Sequence, residues 1–408
     1  MVDATTVAQP HMRARPGADA MRVHDAAAVA VEVRPADAAA LAGYDAFCRR
    51  GVHGPAQHPL WVRAWVEATK ADALIVTARR DGEPVLKLAL EVVDMKPFRL
   101  ARFVGGVHAN GNFPACRPGA TPVSPAENAA IAVALRKARP DIDLLFLSRQ
   151  AERFEGAQNP LAGLAAMRSP NLSLAVDLDG GFEAVVARHG GGRKRRKMNY
   201  QLNRFKRAGG HRIMEAATQE EVTRLIETFF TLKGASLRSK GIADPFADDR
   251  VRDFFRALYR NALAEPSPPF VLHAVEVAGE IAAINGLSVT RETVVCNFGT
   301  YRDGDPRASP GFVIDYANIE QACDQGLKVY DFSVGDEPYK RSWCDIETWH
   351  FDTLTPLGAK GQALALYARL RAAAVQAVKA NPALWGLVKR LRARLHGEKP
   401  AAADAQQD

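Results

Sequence analysis

The chain has 408 residues, of which 47% are hydrophobic and 25% charged, and this is the composition of a globular protein long enough for two domains. The five cysteines are scattered without a C-x-x-C pair, so we expect neither a metal site nor a disulfide framework, and a cytoplasmic location fits them. The net charge is +8, and no apolar run reaches the roughly 18 residues that a membrane-spanning helix needs.

The first half predicts an α/β unit behind an Ala/Pro-rich tail. Residues 1–27 lack the apolar core of a secretory signal, and we expect them to be disordered. Runs rich in β-formers predict strands, and a period of 3.6 residues predicts helices. The predicted elements are a strand at 29–33, helices at 36–50 and 58–69, a hairpin at 73–94 around Asp81-Gly82, a strand from 98, a helix at 124–138, and strands at 142–148 and 172–178.

The second half predicts a similar series. Its helical segment at 181–208 is interrupted by three consecutive glycines at 190–192. The elements that follow are a strand at 211–216, helices at 218–238 and 246–263, three strands within 270–302, and, over 297–343, a strand, a polar loop, a helix, a strand and an acidic turn ending in Tyr339-Lys340.

The two halves share one order of elements, which predicts two copies of a single α/β unit. Turn-forming residues at 168–171 suggest where the copies meet. We predict domains at 28–175 and 176–355, helices at 356–395, and a disordered tail at 396–408. The last helix is basic and amphipathic, so it either packs on its own domain or makes a peripheral contact with an anionic membrane.

The basic residues are concentrated in one predicted helix. Residues 193–212 contain nine Lys or Arg and no acid, which exceeds the net charge of +8 of the whole chain. Met198, Leu202 and Phe205 share one face, which is expected to pack on the domain. A neighbouring face is either simply solvated or binds phosphates of CoA, a nucleotide-linked sugar, lipid or tRNA; we predict an anionic partner. That face consists of Arg193, Arg196, Tyr200, Arg204 and Arg207.

A polar loop at 302–311 leads directly into a helix. The first N–H groups of a helix have no partner inside it, and the helix dipole adds positive charge, so this position suits a phosphate. Ser309 and Gly311 are the candidate contacts; alternatively, Ser309 simply caps the helix, with Pro310 at its first position. Asp303 and Asp305 would repel a phosphate at short range.

Three segments together resemble a known family. The order of hairpin, strand, loop, helix and strand resembles the acyl-CoA-binding core of the GNAT acyltransferase superfamily. More closely, QHPLWVRAW, GGRKRRKMNYQLNRFKRAGG and YDFSVGDEPYKRSW resemble its CelD/BcsL-type branch, which is related to FemAB-like double-GNAT proteins. The resemblance covers roughly residues 30–355. Its most specific residues are Asp331, Gly335, Tyr339, Lys340 and Trp343.

The resemblance implies an α/β (α+β) fold with two tandem GNAT-like domains, each a mixed, mostly antiparallel sheet flanked by helices. It also implies that the C-terminal copy binds the acyl donor and that the substrate lies in the cleft between the copies. The loop at 302–311 departs from the family's usual donor-loop pattern, Q/R-x-x-G-x-G/A. By resemblance, acetyl-CoA or another acyl-CoA is the expected donor. Because the loop departs from the pattern, aminoacyl-tRNA stays open as the donor.

Acyl transfer requires a polarised carbonyl, a route for the nucleophile's proton and a proton for the leaving thiolate. By resemblance, backbone N–H groups of a splayed strand at 297–300 polarise the carbonyl, which makes Asn297 and Gly299 candidate donor contacts. The alternative is an ordinary paired strand.

Three side chains near the end of the motif are candidates for the chemistry. Tyr339 is a candidate proton donor, Lys340 a candidate contact to substrate or phosphate, and Asp331 a candidate base. Alternatively, the Tyr339 ring packs and Lys340 is solvated, while Asp331 caps a turn or forms an ion pair.

Further residues are candidates to line the cleft. Asn112 follows a Gly-rich loop, and Trp61 and Trp65 lie one turn apart, although core packing is the expected role of the tryptophans.

The sequence thus predicts an acyl-CoA-dependent acyltransferase, in the simplest case an N- or O-acetyltransferase, that acts by direct attack in a ternary complex. By resemblance, its acceptor belongs to exopolysaccharide (cellulose) or cell-envelope synthesis. Two alternatives stay open: a FemAB-like aminoacyl-tRNA-dependent aminoacyltransferase, and a non-catalytic protein that binds nucleic acid or anionic lipid through the basic helix.

Overall fold

The computed structural model describes residues 29–164 and 166–380. The strands are β1 (Val29–Pro35), β2 (Asp72–Arg80), β3 (Glu83–Met95), β4 (Phe98–Phe103), β5 (Ala115–Cys116), β6 (Leu144–Gln150), β7 (Arg153–Phe154), β8 (Ala157–Gln158), β9 (Ala166–Asp177), β10 (His211–Glu215), β11 (Phe270–Val277), β12 (Glu280–Val289), β13 (Thr293–Tyr301), β14 (Val329–Val334) and β15 (Ile346–Pro356). The helices are α1 (Ala38–Cys48), α2 (Pro59–Thr69), α3 (Pro125–Ala138), α4 (Gly181–Arg188), α5 (Gly192–Arg207), α6 (Gln219–Ser239), α7 (Asp249–Ala262), α8 (Pro310–Asp324), α9 (Pro338–Arg341) and α10 (Ala359–Ala380).

A single large sheet connects the two halves. Within the described residues it has 13 strands in the order β1-β2-β3-β4-β6-β15-β9-β14-β13-β12-β11-β10, with β5 beside β3. All neighbours are antiparallel except β4 with β6 and β13 with β14. The same series appears from each end of the sheet. Strands β1, β2, β3, β4 and β6 follow one another from one end, and β10, β11, β12, β13 and β14 do so from the other. The predicted α/β fold of two similar units, each with a mostly antiparallel sheet and flanking helices, is confirmed.

The two halves exchange their last strands at the centre of the sheet. Strand β9, from the first half, pairs with β14 of the second half, and β15 pairs with β6 of the first half. The exchanged strands also pair with each other. Strand β15 was not predicted from the sequence, and β9 begins earlier than the predicted strand at 172–178. The predicted boundary at 175/176 falls within β9, and the domain limits stay a prediction.

Helix α2 of the first half packs on α7 of the second half. Trp61 and Trp65 are 1% and 6% exposed, so the expectation that they belong to the core is confirmed. Both rings meet the ring of Phe254 edge-on, with centroids 4.9 Å apart. Aromatic pairs in this geometry add roughly 0.5–1.5 kcal/mol to the effect of burial, so this contact fixes the halves to each other.

The termini fall largely outside the described residues. The predicted tail at 1–27, the tail at 396–408 and the basic segment proposed for membrane contact all lie there. Helix α10 covers the first part of the helical region predicted at 356–395. Among the residues that the structure describes, none of the helices has the length and apolar character needed to cross a membrane.

Candidate active site

Strands β13 and β14 separate after three residue pairs. They pair in parallel only at Thr293/Val329, Val294/Tyr330 and Val295/Asp331. Beyond these pairs, β13 pairs with β12 alone and β14 with β9 alone. The facing edges at 296–301 and 332–334, here called the splay, therefore carry backbone groups that no strand pairs, and these are free to bind a ligand. The expected splayed strand at 297–300 lies on this edge.

A bulge shapes the β13 edge of the splay. Cys296 pairs with Leu287 and Phe298 with Gly286, so Asn297 is the extra residue on β13. The Asn297 side chain donates a hydrogen bond to Ser288 Oγ at 2.6 Å. This bond joins the Asn297 side chain to β12.

Two lysines bind carbonyl oxygens of the separated strands. Lys233 of α6 donates to the Gly299 carbonyl at 3.1 Å. Lys340, only 4% exposed, donates to the Val334 carbonyl at 3.0 Å and lies 3.0 Å from a Glu337 carboxylate oxygen. Lys340 is therefore buried rather than solvated, and its ammonium is held beside the splay.

The first turn of α8 offers an unpaired amide. Pro310 opens the helix as expected, but the Ser309 hydroxyl makes no capping bond. Among the described residues nothing accepts a hydrogen bond from the Gly311 N–H. Gly311 lies against the exposed ring of Tyr301. A Cβ added at this glycine would be 3.4 Å from the ring. A phosphate group would find a backbone donor and the helix dipole here.

Helix α5 packs along this loop. The Gln201 side chain donates to the Arg307 carbonyl at 3.0 Å and accepts from the Ser309 N–H at 3.0 Å. Arg204 forms an ion pair with Asp305. One of the two loop carboxylates expected to repel a phosphate is thereby neutralised.

Two lysines of α5 that were not among the predicted site residues lie over aromatic rings of α8 and of the segment after α9. The Lys194 ammonium lies 3.6 Å from the Trp343 ring centroid, and that of Lys197 lies 4.3 Å from the Phe312 ring centroid. Burial, and then the charge of Lys197, lowers the pKa of Lys194 to about 8. Both lysines lie on the same helical face as Gln201, at a spacing of three and four residues, and this spacing is the signal that could have identified them.

The apolar face of α5 is confirmed, since Met198 and Phe205 are buried. The predicted anion-binding face lies beside the lysine face. Arg193 and Arg196 are exposed and form no ion pair with any described residue, and Tyr200 is 46% exposed.

Tyr339 lies beside Phe332, at the β14 edge of the splay. Its ring packs edge-on against Phe332, with centroids 6.0 Å apart, yet the residue is 53% exposed. Its hydroxyl makes no hydrogen bond with the described part of the chain. Burial first, and then the charge of Asp315, raises the pKa of Tyr339 well above its ordinary value, so the phenol keeps its proton.

Asp331 is the last paired residue of β14 before the splay. One carboxylate oxygen accepts hydrogen bonds from the Ser333 N–H at 2.6 Å and from Ser173 Oγ at 2.9 Å. Burial raises the pKa of Asp331, and these bonds and the charge of Lys340 offset this only in part. The carboxyl therefore takes up a proton more readily than an exposed aspartate.

A cavity of about 170 Å³ lies on the sheet face opposite α8. Successive side chains of a strand point to opposite faces of the sheet. In β14, Tyr330 packs in the core with α8, and the next residue, Asp331, lines the cavity on the other face. Asp331 thus connects the cavity to the splay. The polar residues of the wall include Ser173, Ser333, Glu155, Asn110 and His350.

His350 brings an unpartnered polar atom to the cavity wall. It is 3% exposed, and its Nδ1 makes no hydrogen bond with any described residue. Burial lowers the pKa of His350 to about 4, so the ring is neutral at pH 7. Asn112 is adjacent in sequence to the cavity residues 110 and 111, but its side chain donates to the Ser148 carbonyl at 2.9 Å.

Asp315 of α8 is a buried carboxyl that sequence reasoning also missed. It is 8% exposed and accepts one hydrogen bond, from Asn285 Nδ2 at 3.2 Å. Burial raises the pKa of Asp315 to about 7. The signal was a carboxylate directly between two apolar residues of the predicted helix, Ile314 and Tyr316.

The comparison with protein families agrees with this geometry. Residues 192–341 match the acetyltransferase (GNAT) domain. The matched residues include the splay, α8 and α9. No curated protein sequence matches significantly.

Solved structures show a similar fold over most of the chain. A structure of FemX matches with a TM-score of 0.53 and 12% identity, covering 82% of this chain and 99% of that chain. A conserved protein of unknown function from Bacteroides thetaiotaomicron VPI-5482 matches with a TM-score of 0.50 and 10% identity, covering 79% of this chain and 99% of that chain. At these identities the likeness concerns the fold alone. Among the described residues no cluster of three His, Cys, Asp or Glu side chains could hold a metal.

Proposed function

We propose that the protein is an acyl-CoA-dependent acyltransferase, with acetyl as the simplest acyl group, that acts by direct attack in a ternary complex. The observation that supports this most is the splay in the GNAT domain. It combines unpaired backbone edges, the free hydroxyl of Tyr339 and, through Asp331, a connection to a cavity on the opposite face that has polar side chains in its wall.

The donor would lie on the α8 side of the sheet. Its phosphates would meet the free N–H of Gly311 and the lysines of α5, and its carbonyl would lie against the unpaired edge near Gly299. The carbonyl oxygen gains negative charge during attack, and fixed backbone N–H groups stabilise that charge without reorganisation.

The acceptor would enter through the cavity on the opposite face. Asp331 takes the proton of the attacking amine or hydroxyl, whose lone pair forms a bond to the carbonyl carbon. The carbon–sulfur bond then breaks, and the thiolate takes the phenolic proton of Tyr339. Lys340 holds the carbonyls of β14 in place and keeps positive charge beside the reacting groups.

The identity of the acceptor rests on the resemblance alone. We infer an acceptor of exopolysaccharide (cellulose) or cell-envelope synthesis, following the CelD/BcsL-type motifs, and a cytoplasmic site of action. The cavity volume of about 170 Å³ is below that of most small-molecule pockets, so it would hold the reacting end of the acceptor rather than a whole molecule.

A second candidate donor is aminoacyl-tRNA. The exposed arginines Arg193, Arg196 and Arg207 and the exposed ring of Tyr200 favour it, because they extend the basic surface of α5 beyond the start of α8. A polynucleotide would use such a surface, whereas the phosphates of one CoA would occupy only part of it. The same surface is what a non-catalytic protein would use to bind nucleic acid or anionic lipid.

Calorimetry with acetyl-CoA, longer acyl-CoAs and tRNA separates these readings. Saturable binding of an acyl-CoA supports the proposal if it weakens in the double variant Lys194→Ala with Lys197→Ala. The control Arg63→Ala, on exposed α2 surface, should leave the affinity unchanged. Absence of acyl-CoA binding at millimolar concentration overturns it. Tight tRNA binding followed by aminoacyl transfer would select the second donor, and tRNA or anionic-vesicle binding without transfer would select a binding protein.

A further inference from the structure

Helix α10 exposes three large apolar side chains side by side. Leu366, Tyr367 and Leu370 are 58%, 62% and 63% exposed. Residues three and four apart are neighbours on a helix, so these side chains form one continuous ridge, here called the α10 ridge. Single exposed apolar residues are ordinary, whereas adjoining ones mark a surface that meets another apolar surface. The proposed acyl transfer makes no use of this ridge.

The opposite face of α10 is already packed on the sheet. Ala365 is buried in a cluster with Leu354 of β15. A Cβ at Gly361 would overlap the Asp143 carbonyl oxygen, so the helix lies very close to the backbone beneath it. Small residues thus hold α10 against the sheet and leave no room for larger ones. Rotation of the helix would therefore not bury the ridge.

Positive charge flanks the ridge on both sides. Arg369 and Arg371 adjoin Leu370 in sequence, so they project about 100° to either side of it around the helix. Both are exposed, and neither forms an ion pair with a described residue. The sequence 359–380 contains four Lys or Arg and no acid. The arrangement is an apolar ridge between two rows of unneutralised basic side chains.

We propose that the α10 ridge docks the protein on the surface of an anionic lipid bilayer. Leu366 and Leu370 enter the boundary between head groups and acyl chains, and the flanking arginines contact the lipid phosphates. The Tyr367 ring, apolar with a polar end, suits this boundary. The ridge belongs to the described part of the chain and is distinct from the basic segment after residue 380. This inference does not rest on the proposed acyl transfer.

A second copy of the chain fits the ridge less well than a bilayer. A two-fold contact uses the same patch on both subunits, so Arg369 and Arg371 of one copy would approach the same residues of the other. Like charges at short range oppose such a contact. Anionic head groups instead neutralise these charges, which is why the observations favour lipid.

The first test measures co-sedimentation of the full chain with vesicles. The protein should bind vesicles of phosphatidylcholine mixed with phosphatidylglycerol more tightly than vesicles of phosphatidylcholine alone. Leu366→Gln with Leu370→Gln should weaken this binding about tenfold or more, because it removes most of the apolar surface of the ridge. Val133→Gln, which removes a similarly exposed apolar side chain from α3, should not weaken it. Equal binding by the wild type and the double variant, or no binding by the wild type, overturns the proposal.

The second test separates the ridge from the basic surface of α5. Arg369→Gln with Arg371→Gln should weaken binding to the anionic vesicles about tenfold or more and make the remaining binding less dependent on salt. Arg193→Ala with Arg196→Ala, on α5, should keep the binding of the wild type. Loss of binding in the α5 variant alone would assign the lipid contact to α5 and overturn the role of the ridge.

Measurements without vesicles identify the other occupants that the ridge would accept. If residues of the same chain covered the ridge, Leu366→Gln with Leu370→Gln would lower the melting temperature. If a second copy covered it, the same variant would lower the mass measured by light scattering. Either result overturns the proposal, whereas an unchanged melting temperature and mass together with weakened vesicle binding support it. None of these readouts requires acyl transfer, so they are independent of the proposed function.

Discussion

Gln201 of the basic helix holds Ser309, the residue before α8, through a hydrogen bond of 3.0 Å from the Ser309 N–H to the Gln201 side-chain oxygen. The same side chain donates to the Arg307 carbonyl, so one glutamine fixes both ends of this stretch of the loop. Gln201→Leu should weaken acetyl-CoA binding about tenfold, since two hydrogen bonds of roughly 1 kcal/mol each are lost. Calorimetry measures this change.

The matched control for Gln201→Leu is Asn203→Leu. Asn203 lies on the same helix but is exposed. Asn203→Leu should leave both the affinity for acetyl-CoA and the thermal stability close to those of the wild type. Equal affinity in the two variants would show that the loop does not contribute to donor binding.

Tyr339→Phe tests the proton donor. The hydroxyl makes no hydrogen bond with a described residue, so its removal should not change the melting temperature. The turnover number should fall about 100-fold, within the range for loss of a general acid, while KM for the donor stays nearly constant. Tyr367→Phe, on exposed α10 surface, is the control. Full activity of Tyr339→Phe would remove this residue from the mechanism.

Asp331→Asn tests the base. Burial raises the pKa of Asp331, and the ionised form is the active one, so the wild-type rate should rise with pH above the ordinary aspartate range. Asp331→Asn should abolish this rise and lower the rate about 100-fold or more. Ser173→Ala removes one hydrogen bond to the carboxylate and should move the rise to higher pH by about one unit.

A half-buried aspartate outside the site provides the control for Asp331→Asn. Asp352 of β15 also has a raised pKa, caused by burial, and accepts a hydrogen bond from the Arg149 N–H at 2.7 Å. Asp352→Asn should keep the pH profile of the wild type. The same loss in both variants would indicate a general effect of removing a buried charge.

Most of the elements around the splay were predictable because turn residues separate them clearly. The turns at Ala278-Gly279 and 290–291 delimit β11, β12 and β13, and Pro310 marks the start of α8. Strand β15 was not predictable in this way. Its residues alternate poorly and follow α9 without a marked turn, and it becomes a strand because it pairs with both β6 and β9.

The candidate site could be predicted only in part, for a physical reason. A motif identifies Tyr339 and Lys340, but it does not show that Lys340 is buried, because this depends on the strands that separate beside it. Asp315 and Lys194 were missed because their importance arises from distant residues, Asn285 and Trp343, that the fold brings to them. Local spacing shows which residues share a face, whereas only tertiary structure shows what that face meets.

The basic surface of α5 predicts a salt-dependent affinity. Arg193 and Arg196 are exposed and unpaired within the described residues, so they are free to neutralise phosphates. The double change Arg193→Ala with Arg196→Ala should lower the slope of log affinity against log salt by up to about two for a polynucleotide ligand. Arg34→Ala with Arg63→Ala, which removes the same charge from the first half, should not. An identical slope in all three proteins would exclude this face as the anion site.

The last prediction concerns stability, because a buried carboxyl with a raised pKa has a definite sign of pH dependence. Folded Asp315 has a pKa of about 7 against 3.8 for an ordinary aspartate, so the folded state holds the proton more tightly than the unfolded state. The contribution of this group to stability is therefore complete below about pH 4 and is lost as pH rises toward 7. Asp315→Asn keeps a side-chain oxygen for the Asn285 bond and has no proton to lose. It should match the wild type at pH 4 and exceed it at pH 8 by on the order of 4 kcal/mol in free energy of unfolding, as measured by denaturant titration. A variant less stable than the wild type at pH 8 would show that the ionised carboxyl has a partner that the fold does not reveal.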